Sequence, residues 1–354
     1  MKTVLAVDDS AFVRKLIREI LDSSGEFTVV DIARNGVEAL AKLEKIQPDI
    51  ITLDIEMPEM NGLETLAEIM KIRPTPVVML SSLTTKGAEI SIAALGLGAV
   101  DVVAKPIAHG LPQLKDIADD LLRTLRNAAT VDVSKLARQT DAYKVSATTV
   151  IARAPRMHSD VLPVVVIAAS TGGPRALRYL VSKLDTARSA FYVIVQHLPA
   201  GFTAMFAKDL DALTPLNVRE AHDGDLPMPD TILVAPAGRH SAFIKGGRLT
   251  LTDDPPLWGV RPAADITMAS AGNVFRSRGI GVVLTGMGKD GAHGLGIMRT
   301  NGGRTFAEHE STSLIYGMPK AAVESGAAQK AVPLEEMPAA IALAMEKTIA
   351  GIVD

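Results

Sequence analysis

Three residues with the side chains of a hydrolytic site each follow an apolar run: Ser170 after "VVVIAA", His197 after "FYVIVQ" and Asp290 after "GIGVVLTGMGK". Ser170 opens the turn "STGGPRAL", where the amides of a helix start and its dipole favour negative charge. A serine there suits nucleophilic attack, with those amides facing a tetrahedral oxyanion, and it equally suits an N-cap. His197 offers a base or a polar strand-edge residue. Asp290 offers an orienting carboxylate or the cap of a helix starting near Gly291. Together they supply nucleophile, base and orienting group, the roles that define a triad whatever their chain order. His293, three residues beyond Asp290, is a rival base.

The glycines around Asp290 admit a second chemistry. Gly286, Gly288 and Gly291 fit G-x-G-x-x-G after a strand, the dinucleotide fingerprint, and Glu308 lies about where a ribose-binding acid would fall. A carboxylate inside that turn would repel a pyrophosphate, however, and the turn follows a late strand of its domain, not the first. The glycines can instead bring the backbone N–H of Met287 towards an oxyanion, with Asp290 facing the histidine, and this reading is preferred.

A second constellation lies near the N-terminus. Asp8, Asp9 and Asp54 sit at the ends of the first and third apolar runs, Ser81 ends the fourth and Lys105 the fifth. Strand carboxyl ends converge on one crevice in a doubly wound sheet. Three carboxylates there repel one another unless a cation joins them, and oxygen ligands suit Mg²⁺. An aspartate beside Mg²⁺, a hydroxyl and a lysine can accept a phosphoryl group.

The elements that must position these residues follow from hydrophobic period. "TVLAVD", "FTVVDIA", "DIITLDI", "PVVML" and "AVDVVAKP" read as buried strands, alternating with amphipathic helices such as "AFVRKLIREILDSS" and "NGVEALAKLEKI". A second alternation runs through "LPVVVIAAS", "FYVIVQH", "TILVAPAG" and "GIGVVLTG". The expected fold is α/β: two doubly wound parallel-sheet domains joined by a linker. Residues 127–160 are polar, rich in small residues and without a period, and read as that linker. At 354 residues there is room for two cores, and the absence of cysteine excludes disulfides, thiolate metal sites and a cysteine nucleophile. A net charge of −3 gives no basic field for nucleic acid. No apolar segment suits membrane insertion and the N-terminus is too acidic for a signal peptide, so a cytoplasmic location is expected.

"VDDS", "LDIEMPEMNG", "VVMLSS" and "AKP" resemble the receiver domain of bacterial response regulators. The resemblance implies a flavodoxin-like domain over 1–126, phosphorylation of Asp54 by a histidine kinase, and Mg²⁺ held by Asp8, Asp9, Asp54 and the Glu56 carbonyl. It also implies that Ser81 and Lys105 relay the switch. "ASTGG", "QHLPAGFT", "TGMGKDGA" and "YGMPKAA" resemble the bacterial chemotaxis protein-glutamate methylesterases, the CheB family. That likeness implies a Rossmann-like, three-layer methylesterase domain over 161–354. It further implies hydrolysis of glutamyl methyl esters, and deamidation of glutamines, on methylated chemoreceptor cytoplasmic domains, with no cofactor for the ester chemistry. Ser170 would be the nucleophile, His197 the base and Asp290 the orienting residue, with Thr171 and Met287 bordering the oxyanion site. The arginine in "GPRAL" would meet an acidic receptor helix, and the unphosphorylated receiver would restrain the esterase. Ala168 stands where the family pattern leads us to expect glycine, and Glu308 and His309 where glutamine and aspartate are common.

Overall fold

The computed structural model describes residues 1–82, 84–105, 111–133, 135 and 161–352. The chain divides into two compact units between residues 144 and 145. That division falls within 127–160, most of which lies outside the described residues.

The N-terminal unit runs β1 (Lys2–Val7), α1 (Ala11–Ser24), β2 (Phe27–Ala33), α2 (Gly36–Ile46), β3 (Ile50–Asp54), α3 (Gly62–Ile72), β4 (Val77–Ser81), α4 (Thr85–Leu97), β5 (Asp101–Ala104) and α5 (Leu111–Ala128). Its five strands form one parallel sheet in the order β2-β1-β3-β4-β5. Such strands are covered on both faces, so they read as continuous aliphatic runs, and every residue of β3 and β4 is buried. The helices are one-sided: α1 buries Val13, Ile17 and Leu21, one turn apart. Its start is fixed by the Ser10 side chain, which accepts from the Val13 N–H, and its end by Gly25 in the left-handed region.

The C-terminal unit begins with β6 (Val164–Ala169), α6 (Gly173–Lys183), β7 (Phe191–Gln196), α7 (Thr203–Asp211), β8 (Asn217–Glu220), β9 (Thr231–Val234), and the strands β10 (His240–Phe243) and β11 (Leu249–Thr252). It continues through α8 (Ala264–Phe275), β12 (Gly279–Val283), α9 (Ala292–Thr300), β13 (Arg304–Glu308), α10 (Met318–Glu324), β14 (Lys330–Val332) and α11 (Met337–Ile349). Seven of these strands form a parallel sheet in the order β14-β13-β12-β6-β7-β9-β8. All six residues of β6, at its centre, are buried. The remaining pair, β10 and β11, is a separate antiparallel hairpin that the apolar pattern did not announce.

That hairpin braces both ends of α8. Phe243 stands edge-on to Phe275 of α8 at 4.9 Å and to Phe191 of β7 at 6.3 Å, the preferred aromatic geometry. The fully buried His240 accepts from the Ala263 N–H through Nδ1 (3.1 Å) and faces the Pro255 carbonyl through Nε2 (3.1 Å). Helices α8 and α9 then pack closely because glycines face the contact. A Cβ on Gly294 would lie 2.6 Å from the Asp265 carbonyl oxygen, and one on Gly272 2.8 Å from the Met298 Cα.

Gly294→Ala tests that packing. Alanine improves helix propensity by about 1 kcal/mol, but the backbone overlap should cost about 1–3 kcal/mol and win. Chemical denaturation should show a less stable C-terminal unit, and a stabilised one would contradict the close approach.

Candidate active site

Strand order in the C-terminal unit reverses at β6, which lies between β7 and β12, and ligands of open parallel sheets gather outside the strand ends at such a point. Ser170 follows β6 there. Ala169 pairs with Gln196 in the β6–β7 ladder, and the His197 N–H donates to the Ala169 carbonyl at 3.2 Å, so Ser170 and His197 leave the sheet side by side. Gln196 fixes both chain segments, because its fully buried amide donates to the Ser170 carbonyl (3.0 Å) and the His197 carbonyl (2.9 Å).

His197 and Asp290 meet directly, Nε2 to Oδ2 at 2.9 Å. The same oxygen accepts from the Ala264 N–H at 2.7 Å, and Oδ1 accepts from the N–H groups of Asp265 (2.9 Å) and Gly291 (3.0 Å). Asp290 therefore caps α8, a helix some 25 residues upstream, as well as touching Gly291. Asp265 returns the contact: its Oδ1 accepts from the Gly294 N–H near the start of α9 at 2.8 Å, and its Oδ2 from the Trp258 indole at 2.8 Å. With the carboxylate accepting at Nε2, the imidazole donates there and carries its lone pair on Nδ1.

The fingerprint glycines have local reasons. A Cβ on Gly286 would lie 2.7 Å from the Ser170 Cβ, so the loop after β12 can approach the serine only as glycine. Gly291, at φ +89°, sits against Val283, Ala168 and Ala264. The loop is also tied down from behind. The Gly286 carbonyl accepts from the Gly317 and Met318 N–H groups (3.1 and 2.8 Å), and Glu308 accepts from the Thr285 N–H at 2.8 Å. Glu308 is fully buried in this role, which is not that of a ribose ligand at the surface.

Other expectations need correction. The Ser170 side chain is not the cap of α6, whose N-cap is Gly172 without a side-chain bond. Arg175, read as a substrate-facing cation, is only 6% exposed. His293 is exposed and lines a cleft with Ile297, Thr300 and Asn301, whereas the imidazole that meets the Asp290 carboxylate is His197. Thr171 is buried beside Ser170, its carbonyl accepting from the Thr285 hydroxyl at 3.0 Å, while Met287 is 45% exposed on the glycine loop. Gln196, Asp265 and His240 were missed. Gln196 had a signal, an amide at the end of an otherwise aliphatic strand.

In the N-terminal unit the crevice lies where β1 and β3 adjoin. Asp8, Asp9 and Asp54 bring carboxylate oxygens within 4.8 Å of one another. Lys105 reaches Asp8 at 2.9 Å and Asp54 at 2.7 Å. Burial, reinforced by the charge on Asp8 and opposed by Lys105, pushes the Asp54 carboxyl up to about 6. Although burial opposes its charge, Lys105 is held above the usual lysine value by the two carboxylates. Among the described residues the buried Oδ2 of Asp54 has no hydrogen-bond partner, and an all-oxygen donor set with such an atom fits Mg²⁺. The Glu56 side chain turns away to Lys86 (3.2 Å), so only its backbone could join that set. Ser81 is buried and its hydroxyl donates to the Ser82 carbonyl at 3.1 Å.

Fold and sites define a class: a receiver-type unit fused to a parallel-sheet hydrolase. Residues 4–117 match the response regulator receiver domain and residues 165–341 the CheB methylesterase domain. A protein-glutamate methylesterase/protein-glutamine glutaminase of Pyrococcus abyssi is 42% identical, over 98% of this chain and 95% of that protein. One of the same name from Symbiobacterium thermophilum is 44% identical, over 97% and 96%. The crystal structure of the Thermotoga maritima CheB methylesterase catalytic domain covers 54% of this chain and 99% of that one, with 36% identity and a TM-score of 0.49. The chain belongs to the CheB methylesterase family. Among the described residues no helix is long and apolar enough to cross a membrane.

The raised Asp54 carboxyl sets a pH dependence. Its folded value of about 6 exceeds the ordinary 3.8, so its contribution to stability is full below about 4 and lost as pH rises through about 6. In EDTA, Asp54→Asn should stabilise the N-terminal unit at pH 7.5 by on the order of 2 kcal/mol and flatten its melting temperature between pH 4 and 7. A destabilised variant at pH 7.5 would contradict the buried charge.

Proposed function

We propose that the chain is a phosphorylation-regulated serine hydrolase that demethylates glutamyl methyl esters on chemoreceptor cytoplasmic domains, and deamidates glutamines there, in chemotaxis adaptation. The observation that carries the hydrolase reading is the Asp290–His197 bond beside Ser170, at the point where strand order reverses. In this mechanism His197 Nδ1 takes the Ser170 proton as Oγ attacks the ester carbonyl. Amides of the turn after Ser170 and of the Met287 loop face the developing oxyanion, with Thr171 and Met287 at its border. The intermediate collapses as His197 returns the proton to the leaving methoxide, releasing methanol. Water, deprotonated by the same nitrogen, then attacks the acyl-enzyme to free glutamate and Ser170. With a glutamine side chain, ammonia leaves instead of methanol.

The receiver extends over 1–126 and the esterase over 161–354, with 127–160 joining them. A chemotaxis histidine kinase serves as phosphodonor, and the Asp54 carboxylate attacks the phosphoryl group. Asp8, Asp9, Asp54 and the Glu56 carbonyl would hold Mg²⁺, which would neutralise charge there when bound, and no metal is needed for ester hydrolysis. Lys105, already paired with Asp54, offsets the remaining charge, and Ser81 is the hydroxyl that answers it. The working location is the cytoplasm, with neither nucleic acid nor direct membrane insertion involved.

Methanol release from methylated receptor tests the reading. Ser170→Ala and His197→Gln should each lower kcat at least about a thousand-fold, and His293→Gln about two-fold or less. Acetyl phosphate with Mg²⁺ should raise the activity of the wild type and leave Asp54→Asn unchanged. Turnover that survives Ser170→Ala would refute the nucleophile, and an Asp54→Asn protein that still responds would refute the phosphoacceptor.

A further inference from the structure

The segment between β11 and α8 turns back on itself at Trp258. Leu257 and Val260 exchange N–H···O bonds of 3.2 and 3.0 Å across Trp258 and Gly259, which have φ of +57° and +77°. Positive φ at both central residues marks the mirror-image hairpin turn that asparagine and glycine favour and a bulky side chain disfavours. Folding alone would not choose tryptophan here. Its indole N–H is anchored on Asp265, yet the residue remains 51% exposed.

The ring also holds a cation. The Lys289 ammonium lies 4.0 Å from its centroid, within cation–π range, and among the described residues Lys289 forms no ion pair. Lys289 immediately precedes Asp290, and Met287 of the same loop is 45% exposed. An apolar plate and an unneutralised positive charge thus sit together on the rim of the site, whereas Arg175 is buried.

We propose that Trp258 and Lys289 form a docking edge for the protein substrate, the indole packing on the apolar side of a receptor helix and the ammonium meeting its carboxylates. This deepens the methylesterase reading and rests on it. Charge complementarity selects the occupant, since every turnover leaves a new glutamate on the helix. Exposed aromatic anchors of this kind carry a large share of interface energy.

The test compares Trp258→Asn, Trp258→Phe and Lys289→Gln in the full-length protein with methylated receptor, reading methanol release, salt dependence and melting temperature. Trp258→Asn should raise KM about ten-fold, keep kcat within about two-fold and leave the melting temperature unchanged or higher. Trp258→Phe should keep KM within about two-fold. Lys289→Gln should raise KM about three-fold and flatten its rise with salt. A kcat loss at constant KM in both Trp258 variants would mean that the indole acts through Asp265, and would overturn the docking role. So would a melting temperature lowered by Trp258→Asn, or a Trp258→Asn protein more active without phosphodonor, which would mean the indole seats the receiver. Absence of methanol release by the wild type would instead sink the methylesterase reading itself.

Discussion

One carboxylate organises the hydrolase unit. Asp290 is fixed by the N–H groups of Ala264, Asp265 and Gly291, and its remaining contact is His197 Nε2. The free amides at a helix start favour negative charge, so the seat holds the anion as well as its direction. Asp265 makes the reciprocal contact with Gly294, so α8 and α9 each present an acid to the other. Gly294, facing the Asp265 backbone, lets that exchange happen at backbone distance, and Gly272 keeps the two helices close further along, against Met298. Helix packing, brace hairpin and imidazole orientation are therefore a single construction.

The two units apply one architectural rule to different chemistry. Each places its polar groups at or past the carboxyl ends of parallel strands, where β1 meets β3 in one unit and β6 meets β12 in the other. In the first, three carboxylates crowd together, two of them reach one lysine, and a buried Asp54 oxygen has no hydrogen-bond partner among the described residues. In the second, a carboxylate is saturated with donors, and the histidine inherits its direction. The first arrangement suits receiving a charged group, the second holding a base steady.

Much of this was legible in the sequence because parallel strands are buried on both faces and stand out as aliphatic runs. "FTVVDIA" and "AFVRKLIREILDSS" match β2 and α1 residue for residue. The positions of Asp8, Asp54, Ser170, His197 and Asp290 at or past strand ends followed from the same runs. Strands β8, β10, β11, β13 and β14 did not, since they are short and their residues, such as "NVRE" and "HSAF", lack an apolar run. Nor could local reasoning find that Asp290 caps α8, because a capping argument looks a few residues ahead and this partner lies 25 or 26 residues behind. Arg175 misled for the opposite reason: its place at a helix start suggested solvent, and tertiary packing buried it.

The central claim is that Asp290 holds His197 by Nε2 and leaves Nδ1 as the base. Nitrogen NMR of specifically labelled His197 in the neutral state tests it most directly. The account predicts a protonated Nε2 and a bare Nδ1, with that preference lost in Asp290→Asn. A neutral ring protonated on Nδ1, in the intact protein, would contradict it.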